Sequence, residues 1–147
     1  MKYHIQEGQF DVPDDGRIDR SMNVLAMPDG AGTTLIVSRD ALRAQENLAQ
    51  FVSRQMNDLM RQVSQLKELS RDEIAVGPAV LNLRAIELAT QFKQNGQALY
   101  QRQAVFLLPN ERDGKAVLIL TASSPVPFDA EALALWQRTL ASFQPRA

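Results

Sequence analysis

The chain has 147 residues, of which 45% are hydrophobic and 22% charged, and its formal net charge is −1. This length predicts a single domain over residues 1–147, and the balanced charge gives no basic excess for phosphate contacts, so nucleic acid is not an expected partner. The lack of cysteine excludes disulfides and thiolate catalysis, and a single histidine, His4, argues against zinc sites and a Ser-His triad.

The N-terminal residues contain neither an apolar signal region nor a lipidation cysteine, and no run of 18 apolar residues occurs. We therefore expect a cytoplasmic protein that does not itself insert into a membrane.

The first forty residues predict short strands at 3–11, 21–27 and 33–39. The first is one strand or a pair of strands interrupted by Gly8. In the strand at 21–27, Met22 and Val24 share a face. In the strand at 33–39, Val37 lies on the side opposite Ile36. Together these strands predict a hairpin or meander.

An amphipathic helix is predicted over residues 47–66, because apolar side chains recur at spacings of three, four and seven. The apolar stripe includes Met56 and Met60, which favours packing in a core over a binding role.

Asn95-Gly96 predicts a type I′ hairpin turn, which needs positive φ at both central residues. The register that follows places Thr90 opposite Gln101 and Leu88 opposite Gln103. The other face of this hairpin is rich in alanine and brings Glu87 within reach of Arg102. That alanine-rich face is shallow enough to seat a helix.

The rest of the chain predicts a polar strand at 68–76, a polar loop at 109–114, a central strand at 115–122 and a final helix capped by Asp129. This order favours the α+β class, with an antiparallel sheet and helices packed on one face.

No pattern in the sequence supports catalysis, and we expect a protein that is not an enzyme and has no cofactor or metal. Gly30-Ala-Gly32 lacks the residues of a phosphate loop, and adjacent pairs such as Asp14-Asp15 fit solvated turns. Glu87 and Arg102 could anchor a ligand, but a cross-strand ion pair explains them more simply.

Gln101 and Gln103 lie two apart in an otherwise apolar strand, so both amides point to one side. They could be solvent-facing, or core residues that need partners beneath a helix. The apolar side chains around them instead favour an interaction surface that also offers hydrogen bonds.

Several segments, taken together and in order, resemble the Eag branch of the DcrB-like family. These segments are Tyr3-His-Ile-Gln-Glu-Gly-Gln-Phe, Arg20-Ser-Met-Asn-Val, Ile36-Val-Ser-Arg-Asp, Tyr100-Gln-Arg-Gln-Ala, Leu120-Thr-Ala, Pro127-Phe, Leu135-Trp and Ser142-Phe. Eag proteins are cytoplasmic chaperones of type VI secretion effectors.

The resemblance implies a curved Mog1/PsbP-like antiparallel sheet and a homodimer. It also implies that the partner is the set of hydrophobic N-terminal helices of a secreted, PAAR-containing effector. Matched by motif, the residues expected to bind those helices are Met22, Val24, Val37, Gln55, Gln101 and Gln103.

Two other functions remain open at this point. A Mog1-like regulatory module that binds another protein would have a charged concave face. An enzyme with an unfamiliar site would need a cleft with converging titratable groups.

Overall fold

The computed structural model describes residues 1–109 and 114–146, so most of the loop expected at 109–114 lies outside the described residues. The helices and strands are β1 (Lys2–Ile5), β2 (Gly8–Asp11), β3 (Asn23–Leu25), β4 (Thr34–Ala41), α1 (Leu48–Gln62), β5 (Ser64–Val76), β6 (Leu83–Gln94), β7 (Gln97–Leu107), β8 (Ala116–Ser124) and α2 (Ala130–Ala141). A single 3₁₀ turn at Ala79–Leu81 joins β5 to β6.

Six strands form an antiparallel sheet in the order β3-β4-β8-β7-β6-β5, and β1 and β2 form a separate hairpin. β5 to β8 follow one another as a meander. β4 is inserted beside β8, the last strand in the chain. The expected α+β fold with an antiparallel sheet is therefore confirmed.

The two helices cover opposite faces of this sheet. On the α1 face, Phe51, Val52 and Met56 pack in one core with the sheet residues Leu88 and Val105. On the α2 face, a second core holds Ala85, Ala104, Phe106, Leu120, Trp136 and Leu140.

The expectation that both helices share one face is thus wrong in this detail. The middle strands carry apolar side chains on both faces, and each face needs its own cover. The expected seat of a helix on the alanine-rich face is confirmed, because α2 packs against Ala85 and Ala104.

The β6–β7 hairpin has the register that its turn predicts, with Thr90 opposite Gln101 and Leu88 opposite Gln103. Asn95 and Gly96 both adopt positive φ, as a type I′ turn requires. The predicted register puts both glutamines on one face of the hairpin, and the packing of α1 with Leu88 and Val105 shows that this is the α1 face.

The long helix ends four residues earlier than its apolar spacing predicts. Val63 is already extended, and Ser64 pairs with Lys93 of β6. Leu66 still packs in the α1-side core. Its burial was predicted correctly and its secondary structure was not.

Within the described residues, neither α1 nor α2 combines the length and the apolar character that a membrane-crossing helix needs.

Candidate functional site

Two rows of side chains cross the sheet on the α1 face beside the helix, and we call them the glutamine strip. In the first row Gln101 pairs with Ser123, which pairs with Thr34. The second row consists of Gln103, Thr121, Ile36 and Val24, each opposite the next. One end of the strip is polar and the other is apolar.

Both glutamines are held by hydroxyl groups of the neighbouring strand. Gln101 Nε2 donates to Ser123 Oγ over 3.3 Å, and Gln103 Nε2 donates to Thr121 Oγ1 over 3.1 Å. These bonds orient the amides, and the described residues provide no donor to the two Oε1 atoms. The strip therefore offers acceptors that a bound molecule could use.

Thr90 lies directly opposite Gln101 and is 2% exposed. Among the described residues, its Oγ1 is a buried side-chain oxygen with no hydrogen-bond partner. A buried hydroxyl without a partner costs about 1–3 kcal/mol. The row of Gln101 is therefore not saturated with internal hydrogen bonds.

One flank of α1 forms the wall of the strip. Gln55, Asp58 and Gln62 line a cleft of about 160 Å³ together with Gln101 and Gln103. Gln55 Nε2 also lies 3.4 Å from Asp40 Oδ2, a long contact that links α1 to β4. Three of the predicted site residues thus meet in one cleft.

The apolar end of the strip lies at the edge strand β3. Val24 is 58% exposed and Met22, just before the strand, is 61% exposed. Continued alternation places Met22 on the face of Val24. Val24 presents apolar surface opposite Ile36, and Met22 adds exposed apolar surface just before the strand.

Val37 is the predicted site residue that the fold separates from the others. It pairs with Leu120 of β8 and packs against the core of the α2 face. Its neighbour Ile36 occupies the place in the strip that Val37 was expected to take.

Sequence reasoning missed four members of the strip. These are Thr34, Ile36, Thr121 and Ser123. Alternation in β4 and β8 shows which residues of each strand share a side. It does not show that the two strands are neighbours, because no tight turn connects them.

Glu87 and Arg102 form the cross-strand ion pair that their spacing predicts, with Arg102 Nη1 3.2 Å from Glu87 Oε1. Glu87 Oε2 accepts a hydrogen bond from Trp136 Nε1 over 3.1 Å. The pair therefore helps to dock α2, on the face opposite the glutamine strip.

In the described part of the chain, no three His, Asp or Glu side chains cluster in a way that could hold a metal ion. His4 is exposed in β1, as expected for a terminal strand.

The DcrB family model matches residues 7–142. The chain belongs to the DcrB family. This DcrB-family protein also resembles the crystal structure of PA94 from Pseudomonas aeruginosa, described as a protein of unknown function and a candidate regulator. The TM-score is 0.70 and the identity 25%, over 100% of this chain and 97% of that one. Among curated proteins, no sequence matches this DcrB-family chain.

Proposed function

We propose that this DcrB-family protein is a cytoplasmic chaperone that binds and shields the N-terminal transmembrane helices of a type VI secretion effector before export. The observation that carries the proposal is the glutamine strip, where exposed Met22 and Val24 continue into the half-buried amides of Gln101 and Gln103. The resemblance to Eag-type chaperones supports this class of client.

The chemistry of the strip suits an apolar helix. Apolar contact at the β3 end stabilises a complex by about 25 cal/mol per Å² of surface buried. The glutamine oxygens can accept hydrogen bonds from hydroxyls or from the free N–H groups of a first helical turn. Such contacts orient a helix without requiring one particular sequence. No catalytic step belongs to this proposal.

The glutamines can be tested by Gln101→Ala combined with Gln103→Ala. The matched control is Gln94→Ala with Gln97→Ala, because this exposed pair flanks the turn of the same hairpin. Each variant is co-expressed with an effector fragment that carries the N-terminal apolar helices. We expect at least a tenfold loss of affinity for the first variant, roughly 1.4 kcal/mol, and none for the control.

The class of client is tested with the same effector fragment lacking its apolar helices. Co-purification that depends on the helices supports the proposal. Equal retention of both fragments, or undiminished binding by the Gln101/Gln103 variant, would contradict it.

A second candidate is a Mog1-like regulatory module that binds a folded protein and no membrane helix. The similarity to PA94, described as a candidate regulator, favours this reading. If the protein retained the effector fragment that lacks the apolar helices, the regulatory module would become the better supported of the two functions.

A further inference from the structure

The six-stranded sheet has two edge strands, β5 and β3, and only β5 is protected against pairing with a further strand. The register of β5 with β6 shifts twice, and charged side chains follow one another along the strand. These side chains are Lys67, Glu68, Arg71, Asp72 and Glu73. Charges and an irregular register are common means of keeping a sheet edge from pairing with another chain.

The other edge strand, β3, lacks this protection. Ser21 to Met27 contain no charged residue and no proline, and the register of β3 with β4 is regular. Every residue from Ser21 to Thr33 is exposed, and in the described part of the chain β4 is the one strand that pairs with β3. The outer edge of β3 is therefore open.

An open edge specifies the conformation of what covers it. Every second residue of an edge strand directs its N–H and C=O groups away from the sheet, and these groups form a ladder with another extended backbone. Val24, 58% exposed, lies on the α1 face, whereas Leu25, 62% exposed, lies on the α2 face opposite Leu35. An added strand would gain backbone hydrogen bonds and apolar contacts on both faces.

The glutamine strip ends at this same edge. Its second row runs from Gln103 through Thr121 and Ile36 to Val24. A client on the strip therefore lies directly beside the open edge. The residues next to its apolar helix reach β3 without a long unbound linker.

We propose that an extended segment of the client, adjoining its apolar helices, adds as a further strand to the outer edge of β3. In recognition of this kind, backbone hydrogen bonds give affinity and side-chain contacts give specificity. The proposal deepens the proposed function and rests on it for the identity of the client. Recognition then has two parts, with a helix on the strip and a strand on β3.

The test is amide hydrogen exchange of the full chain, followed by NMR with and without the effector fragment that carries the apolar helices and the residues that flank them. Strand addition should slow exchange of the β3 amides that face away from β4 by about tenfold or more. Contact through side chains alone leaves those amides open. The outward-facing amides of β5 are the internal control and should not change.

Leu25→Lys places a charge on the open edge while leaving the strip intact, because Leu25 lies on the opposite face of the sheet. Affinity for the same effector fragment should fall roughly fivefold, since charged side chains disfavour pairing at an edge. Leu69→Lys on β5 is the matched control, because Leu69 is 59% exposed, and it should bind as the wild type does. Circular dichroism checks that each variant is folded.

The outcomes separate this proposal from the proposed function. A fragment that binds through its apolar helices while the β3 amides stay unprotected would overturn strand addition and leave the chaperone standing. Absence of any binding contradicts both. Protection of the same amides before the client is added would show that the edge is covered in another way, and it would overturn strand addition. Full affinity of the Leu25→Lys variant would do the same.

Discussion

The ion pair between Glu46 and Arg54 ties the start of α1 to its second turn. Arg54 Nε lies 2.9 Å from Glu46 Oε2, and a second guanidinium nitrogen reaches Oε1 over the same distance. The Arg43 N–H donates to the same carboxylate, and the Arg54 guanidinium lies over the Phe51 ring. The side chain of Glu46 is only 10% exposed, so this pair is better placed to stabilise the fold than the surface pairs.

These contacts predict a pH dependence of stability. Hydrogen bonds from Arg54, and next from the Arg43 N–H, lower the pKa of Glu46 from 4.5 to about 2. A carboxylate whose pKa falls on folding stabilises the protein above its unfolded pKa and loses that contribution as pH drops. The contribution is therefore complete at neutral pH and declines between about pH 4.5 and pH 2.

Urea unfolding from pH 7 to pH 2 can check this expectation. Glu46→Gln should be less stable than wild type at neutral pH, and the difference should shrink as the pH falls through this window. Glu7→Gln, in the exposed β1–β2 turn, serves as control and should follow the wild type. A constant difference at every pH would show that the ion pair is not responsible.

At the scale of the secondary-structure elements, the end of β5 meets the end of α2 at Gly77. The Gly77 N–H donates to the Leu140 carbonyl over 2.9 Å. The residue has φ of +74°, and a Cβ there would lie 2.6 Å from the Phe143 carbonyl oxygen. Both the backbone angle and the close approach require glycine at this joint.

Gly77→Ala should therefore destabilise the fold by more than the ~1 kcal/mol associated with positive φ alone. Gly30→Ala is the matched control, because Gly30 has the same φ but no other atom within 4 Å of the position that its Cβ would take. The free energies of unfolding of the two variants, measured in urea, separate the cost of the positive φ, which both share, from the cost of the close contact with Phe143, which only Gly77→Ala has. Equal losses would mean that α2 shifts without cost to admit the methyl group.

How well each element could be predicted depended on whether its signal was local. Asn95-Gly96 fixed the register of β6 with β7, because a two-residue turn leaves little choice of pairing. Val63 and Leu66 continued the apolar spacing of α1, and it is the extended backbone of Val63 and the pairing of Ser64 with Lys93 that show the helix has ended.

The same limit applied to the candidate site. Gln101 and Gln103 were found from alternation within a single strand. Which face of the sheet Val37 occupies depends on how β4 pairs with β8, and these two strands are distant in sequence. The split of the helices between the two faces was likewise a property of the whole sheet.

For the molecule as a whole, the sheet separates two cores that touch different helices. Val52 is fully buried on the α1 face and Val76 on the α2 face. Such separated sites are expected to contribute independently to stability, because additivity holds beyond roughly 7–10 Å when no partner is shared.

A double-mutant cycle of Val52→Ala and Val76→Ala tests this separation. Each change should cost about 2 kcal/mol, and the pair should cost the sum to within about 0.5 kcal/mol. Denaturant unfolding measures all four proteins. A coupling well above that value would show that the sheet transmits repacking from one core to the other.

The position of β4 beside β8 also has a consequence for synthesis on the ribosome. Ile36 pairs with Thr121, so β4 has only the three-residue β3 as a sheet partner until the last strand emerges. Non-local pairings of this kind form late, because the intervening chain must first be brought together. The exposed apolar residues Met22 and Val24 at β3 therefore leave the ribosome early and remain outside a completed sheet for nearly the whole of translation.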